Sequence, residues 1–479
     1  MKTSSPLTRR RFLGEASCAA VGAVPLLNTL LNLRLAGGLA AATTPAAGEY
    51  RALVCVFLAG GNDSFNMLVP REPSAYAQYT AARADLALPP AQLIDIHPAG
   101  LPTFGVHHRM PELASLFEQG KAAFLANVGT LLEPVQNRTQ VENNLKRLPL
   151  GLYSHSDQIE QWQTSIPHSR SGVGWGGRVA DLLKELNANQ TVPMNISLDG
   201  SNTWQTGNTV AEYAITTDGA VGLNPYETAW SFTEDPNLKF RQVVSAAVDS
   251  QLALKYTNLL QQTFVARKRA AVDAYALFAG ATAAPLPGGV TFPDTPLGRQ
   301  LRMVAQTIQG RAALGACRQT FFVQLGGWDH HNEVLNNQDA MLPQVSAAVG
   351  AFYNALAALG VENNVTLFSA SDFGRTLTSN GRGSDHAWGG NHFVVGGAVK
   401  GRRLYGQFPS LAVNPEEGAE VNPLDAGRGR FIPTTSVDQF FAELALWLGV
   451  SRTNLPLVLP NIGNFHSLAS SAPPVGFLL

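Results

Sequence analysis

The chain reads as an α/β protein with a mostly parallel central sheet flanked by helices, and three observations say so. Continuous apolar runs rich in strand formers recur along it, helical patterns lie between them, and polar residues able to hold a metal gather directly after the runs. Unbroken apolar strands are what a parallel sheet covered on both faces requires, and their alternation with helices is the α/β signature. With 479 residues, 45% hydrophobic and only 14% charged, the chain can bury a sizeable core, which excludes a disordered protein. Its 34 Lys plus Arg against 35 Asp plus Glu leave a formal charge of -1, so overall charge points to no nucleic acid partner.

The N-terminus comes first. Thr8-Arg9-Arg10-Arg11-Phe12-Leu13 has the paired arginines and following apolar pair of a twin-arginine export signal. The weakly apolar stretch 16–33 is broken by Gly22, Pro25, Asn28 and Asn32 and is too polar for a membrane span. Ala40-Ala41-Ala42 then offers a cleavage site, giving a signal peptide over 1–42. Its removal takes five cations (Lys2, Arg9, Arg10, Arg11, Arg34) and one anion (Glu15), a charge of +4, and leaves the mature chain at -5. Export by this route implies a transient partner, the twin-arginine translocation machinery, and a periplasmic or secreted product without a stable membrane span. Cys55 and Cys317 sit in or beside apolar runs and read as buried hydrophobes rather than as a disulfide.

The first strand is expected over 52–58 (ALVCVFL), ending in Gly60-Gly61-Asn62-Asp63. Similar runs occupy 122–128, 320–325 and 364–369, with a fifth strand at 392–395. Helical patterns cover 110–119, 158–164, 178–186, 297–313 and 343–359. Residues 192–291 shift to Asn, Thr, Gly and Ala with fewer strong strands and read as an insertion in a single domain over 50–479. Within it an amphipathic helix is expected near 252–277 and a linker at 278–290; its Arg267-Lys268-Arg269 reads as a solvated helix face.

Three expected strands finish in Gly or Ser and an aspartate: Asn62-Asp63, Gly327-Trp328-Asp329-His330-His331 and Ser371-Asp372-Phe373-Gly374-Arg375. Ligands of open α/β sheets bind beyond the carboxyl ends of the strands, so these groups can converge despite their separation. Asp385-His386 lies just before the fifth strand and joins them if that strand starts where the others end. Carboxylates mixed with imidazoles suit Zn²⁺, Mn²⁺, Ca²⁺ or Mg²⁺ according to the nitrogen count. The candidate ligands are therefore Asp63, Asp329, His331, Asp372, Asp385 and His386, for one or two divalent ions. Ester hydrolysis also needs a nucleophile, either a metal-activated water or a hydroxyl. Ser154 and Ser156, at the start of the helix expected at 158–164, are candidates, and Arg375 and Asn62 are candidate contacts for a substrate anion.

FLAGGNDSFNMLVP from Phe57, SHSDQIEQW from Ser154, LGGWDHH from Leu325, SDFGRT from Ser371, DHAWGGNHFVVGGAVKG from Asp385 and GRFIPTTSVDQFFAELALWLGV from Gly429 together resemble the bacterial domain-of-unknown-function 1501 family. The resemblance implies the alkaline phosphatase-like superfamily, which includes phosphatases and sulfatases, and hence a three-layer sandwich with metal ligands at strand ends. It assigns Asp63, Asp329, His331, Asp372 and His386 to metal and Ser154, or alternatively Ser156, to the nucleophile. Phe373 stands where two-metal phosphatases have a histidine, so one metal ion is at least as consistent as two. The expectation is an exported metal-dependent hydrolase of a small-molecule or polymer phosphate or sulfate ester. The alternative is a non-catalytic envelope or extracellular binding protein that keeps the fold.

Overall fold

A computed structural model describes residues 49–222, 238–415 and 419–478. The expected signal peptide and its cleavage site lie outside the described residues. Among the described residues there are twelve strands: β1 (Arg51–Ala59), β2 (Leu68–Pro70), β3 (Leu93–Ile96), β4 (Phe104–His107), β5 (Ala122–Gly129), β6 (Asn195–Ser197), β7 (Tyr213–Ala214), β8 (Arg318–Gly326), β9 (Val365–Ser371), β10 (Gly390–Val395), β11 (Leu404–Tyr405) and β12 (Thr435–Ser436). The main sheet runs β11-β5-β10-β9-β1-β8-β6-β7, with β12 beside β5, while β2-β4-β3 form a small separate sheet. Nine helices are used below: α1 (Pro73–Arg83), α2 (Pro111–Glu118), α3 (His155–Thr164), α4 (Trp175–Leu183), α5 (Leu238–Ala253), α6 (Leu259–Thr282), α7 (Pro296–Gln309), α8 (Val334–Ala358) and α9 (Val437–Leu448).

The unbroken apolar character of β1 is explained by its place. Flanked by β8 and β9, both parallel to it, it buries alternate side chains on opposite faces. Ala52, Val54, Val56 and Leu58 pack into a core shared with Leu113 of α2, Leu301 and Val304 of α7, and Val345 and Val349 of α8. Leu53, Cys55 and Phe57 pack on the other side with Val179 and Leu183 of α4 and Phe440, Phe441 and Leu444 of α9. The result is a helix–sheet–helix sandwich in which each fully buried large apolar side chain contributes on the order of 1.5–3 kcal/mol. Cys55 and Cys317 are free thiols.

One strand opposes the rest. β10 pairs antiparallel with both β9 and β5, so Asp385-His386, just before it, arrive at the edge where β1, β8 and β9 end.

Several boundaries differ from expectation for physical reasons. α8 begins at Val334 rather than at Pro343, which sits inside the helix; a proline is favoured at a first helical turn, but here the packed helix tolerates it in the interior. α6 continues to Thr282, through part of the expected linker, because Phe278 is buried against the body. It is preceded by α5, and residues 195–214 add β6 and β7 to the sheet edge. The insertion is thus partly sheet. Among the described residues no helix is long and apolar enough to cross a membrane.

Candidate metal centre

The site lies where β1, β8 and β9 end, β10 begins and α3 starts. Glycines permit the close approach of the first two. Gly60 (φ +121°) and Gly61 (φ +85°) take a left-handed backbone that a side chain disfavours. A Cβ on Gly60 would stand 2.5 Å from the Asp329 amide nitrogen, and one on Gly61 2.5 Å from the Phe373 ring.

Four side chains converge. Asp329 Oδ1 is 3.1 Å from His331 Nε2 and 3.2 Å from His386 Nε2, while Asp329 Oδ2 is 3.6 Å from His155 Nε2. The two nitrogens of His331 and His386 are themselves 2.9 Å apart. Each ring is held from behind. His155 Nδ1 donates to Asp372 Oδ2 at 2.7 Å, His331 Nδ1 to Asp385 Oδ1 at 3.0 Å, and His386 Nδ1 to the Tyr153 carbonyl at 2.8 Å. Tyr153 takes a left-handed φ of +73° there, uncommon for a residue with a side chain. With a proton on each Nδ1, the three Nε2 atoms present lone pairs to a carboxylate and to one another. This is the arrangement of metal-binding histidines, whose second nitrogen is fixed by a carboxylate or carbonyl.

The spacing fits an ion. At bonds of about 2.0–2.1 Å, ligand atoms of a tetrahedral site stand about 3.3 Å apart; one atom each of His155, Asp329 and His386 lie within 4.8 Å of one another, a set that does not include His331, which meets Asp329 and His386 at 3.1 and 2.9 Å. Two imidazole nitrogens with one carboxylate, and a third imidazole beside them, favour Zn²⁺ over Ca²⁺ or Mg²⁺. His155, His331 and Asp329 are each about 34–44% exposed, so the centre is open on one side. A second group, His107, His108 and Asp339, is less apt: Arg109 pairs with the Asp339 carboxylate at 3.1 Å while donating to the Asp339 carbonyl, and its backbone N–H occupies His107 Nδ1.

Electrostatics follow from these contacts. The Asp372 carboxylate raises the His155 pKa, against the effect of burial. Burial lowers that of His386, the Tyr153 carbonyl opposing. Burial works to raise Asp329, yet Arg375 and the histidines hold it below the usual carboxylate range. Asp385 is similarly opposed by burial and is brought to about 2 by Asn380, Arg428 and His331.

The structure thus brings Asp329, His331 and His386 together as ligand candidates and gives the other expected residues different work. Asp372 and Asp385 orient His155 and His331; Asp372 Oδ1 also accepts from the Gly60 amide at 3.0 Å. Asp63 departs from its expected place: its carboxylate is fully buried and paired at 2.6 Å with Arg83 at the end of α1. Arg375, expected at a substrate anion, has a 0% exposed side chain bonded to Asp329 Oδ1 (2.8 Å) and the Gly60 and Ser384 carbonyls. Asn62 is likewise buried, its backbone N–H donating to Ser371 Oγ at 2.8 Å and its side-chain amide to Met67 Sδ at 3.6 Å. Ser154 and Ser156 bond each other at 3.2 Å, and the Ser154 hydroxyl also serves Asp157. The residue between them, His155, is the one that reaches the cluster. It went unassigned because its serine neighbours carried the more familiar nucleophile signal. Phe373 packs on His155 and His386, with ring centroids 4.8 and 4.5 Å away.

Among solved structures, Ps i-CgsB matches with a TM-score of 0.33 and 12% identity over 87% of this chain and 77% of that one. BT1596, a 2-O GAG sulfatase, gives 0.26 and 10% over 74% and 66%. A mutant of the alkaline phosphatase PafA gives 0.27 and 12% over 68% and 64%. No curated protein matches the chain. Residues 50–450 match the family described as Protein of unknown function (DUF1501), and the chain belongs to that family.

Proposed function

We propose that the protein is an exported hydrolase of phosphate or sulfate esters with one divalent ion, most simply zinc, held by His155, His386 and Asp329, with His331 beside them. The supporting observation is the convergence of three Nδ1-anchored imidazoles on one carboxylate. A bound ion supplies Lewis-acid charge beside the ester. The chain's own residues do the rest. Asp372, Asp385 and the Tyr153 carbonyl each accept from an Nδ1 and so aim the three Nε2 atoms at Asp329. Arg375, anchored on Gly60 and Ser384, positions Asp329. Arg428, 42% exposed and 2.7 Å from Asp385, is the cation placed to bind the ester's anionic oxygens. Phe373 closes the wall behind His155 and His386, leaving no second imidazole there, so a one-ion centre is the reading adopted. With both serine hydroxyls engaged at the start of α3, water is the attacking group.

The test is elemental analysis of the purified protein and its His386→Ala variant, followed by a panel of aryl phosphates and sulfates. One equivalent of metal, lost in the variant together with turnover, is expected. Wild-type protein that binds no metal after resupply would overturn the assignment. Metal-loaded protein inactive on every ester would favour the non-catalytic binding role.

A further inference from the structure

The charge of the whole chain hides a local segregation. Between residues 238 and 269 the sequence has Lys239, Arg241, Lys255, Arg267, Lys268 and Arg269 against Asp249, a charge of +5 in a chain of -1, with Arg269 paired to Asp249 and to Asp273 further along the helix. This segment contains α5 and the first half of α6, which pack on each other and are joined through residues 254–258. The far end of α6 anchors the pair: Val272, Ala274 and Phe278 are buried, and Phe278 meets the ring of Tyr213 on β7 at 5.7 Å. The near end is apolar and open. Leu259, Leu260 and Phe264 are 73%, 79% and 68% exposed, and with Leu254, Phe240 and Val243 they make six of the thirteen large apolar side chains exposed among the described residues. Leu260 and Phe264 also line a groove of about 500 Å³ with Leu252 and Tyr256. Leu260, Phe264, Arg267 and Lys268 follow i, i+4, i+7, i+8 spacing, so apolar and cationic groups share one side of the helix.

An apolar concentration of this kind marks an interaction surface, and the charge selects the occupant. A second copy would set one cationic face against another. An anionic bilayer attracts the cations and accepts the apolar side chains at its headgroup boundary. We propose that α5 and α6 seat the protein on an anionic phospholipid surface, with Leu254, Leu259, Leu260 and Phe264 entering the interface and Lys255, Arg267 and Lys268 meeting lipid phosphates. Seating of this type is peripheral and needs no spanning helix.

The experiment is vesicle flotation of the full chain on phosphatidylglycerol/phosphatidylcholine vesicles and on pure phosphatidylcholine. Two double variants are compared: Leu260→Asp with Phe264→Asp, and Arg267→Glu with Lys268→Glu. The wild type should float with the anionic vesicles at low salt, lose binding as salt rises, and ignore the neutral ones. Each double variant should reduce the bound fraction at least about tenfold without changing Tm, since all four side chains lie outside the core. No flotation, equal flotation on both vesicle types, or flotation unaltered in the variants would overturn the proposal. So would self-association abolished by Leu260→Asp with Phe264→Asp in the absence of vesicle binding, which would assign the face to a second copy. None of these readouts depends on metal or ester turnover.

Discussion

Asp329 is surrounded by three rings that cannot all be satisfied by one another, since every Nδ1 is already spent on an acceptor. Ligands and orienting groups should therefore respond differently to replacement. His386→Ala removes a ligand and should abolish stoichiometric binding. Asp385→Ala removes the acceptor behind His331, which also holds Arg428 and Asn380, and should weaken metal affinity by about 10–100-fold, read by competition with a chromogenic chelator. Equal loss in both would make Asp385 a ligand. A second residue-scale prediction concerns Asp63 and Arg83, both fully buried. Arg83→Met strands a carboxylate and should cost about 3–5 kcal/mol in urea denaturation, much of it recovered when Asp63 is also replaced by Asn. Asp329, His331 and His386 were legible because each sits in a short polar motif closing or opening a strand. Asp63 looked the same in sequence. Only the helix that returns Arg83, twenty positions later, withdraws it from the site, and no local pattern records that return.

At the scale of elements, β1, β5, β8 and β9 were legible within one or two residues, since a strand covered on both faces has to be apolar throughout. The direction of β10 was not written in its residues; it follows from its pairing with β9 and β5. Short strands such as β6 and β7 carry too few residues to show a period. The last element is fastened by a group that reads in sequence as an ordinary helical glutamate. Glu443 of α9 is fully buried and accepts the amides of Val475, Gly476 and Leu478 at 2.9, 2.7 and 2.8 Å. Hydrogen bonds to a charged acceptor are worth about 1.5–3 kcal/mol each. Glu443→Gln keeps the shape but brings an amide donor against an N–H, so it should destabilise the protein by about 2–4 kcal/mol. Hydrogen exchange should then accelerate at 475–478, where Phe477 enters the core. Unchanged protection there would mean that Phe477 alone fastens the tail.

For the whole molecule, the dependence of stability on pH sets two buried groups against each other. His392, between Trp162 and Phe440, is fully buried, and burial lowers its pKa to about 3. The unfolded chain, with a histidine pKa of about 6.5, binds this proton more readily. The group's contribution is thus complete above about pH 6.5 and is lost as pH falls toward 3. Asp438, at the start of α9, has its pKa raised to about 7 by burial, only partly offset by Ser165 and Arg178. Here the folded state binds the proton more readily, so the contribution is complete below about pH 3.8 and is lost as pH rises through 7. Between about pH 4 and 6.5 the two slopes are opposite, each up to about 1.4 kcal/mol per pH unit, and largely cancel. His392→Phe removes the rising slope and should make stability fall more steeply with pH across this window. Asp438→Asn removes the falling slope and should make it climb. Urea midpoints at several pH values within the window read the two tilts directly. Both variants tilting the same way would show that one group is ionised in the fold in the opposite sense to that set by its burial.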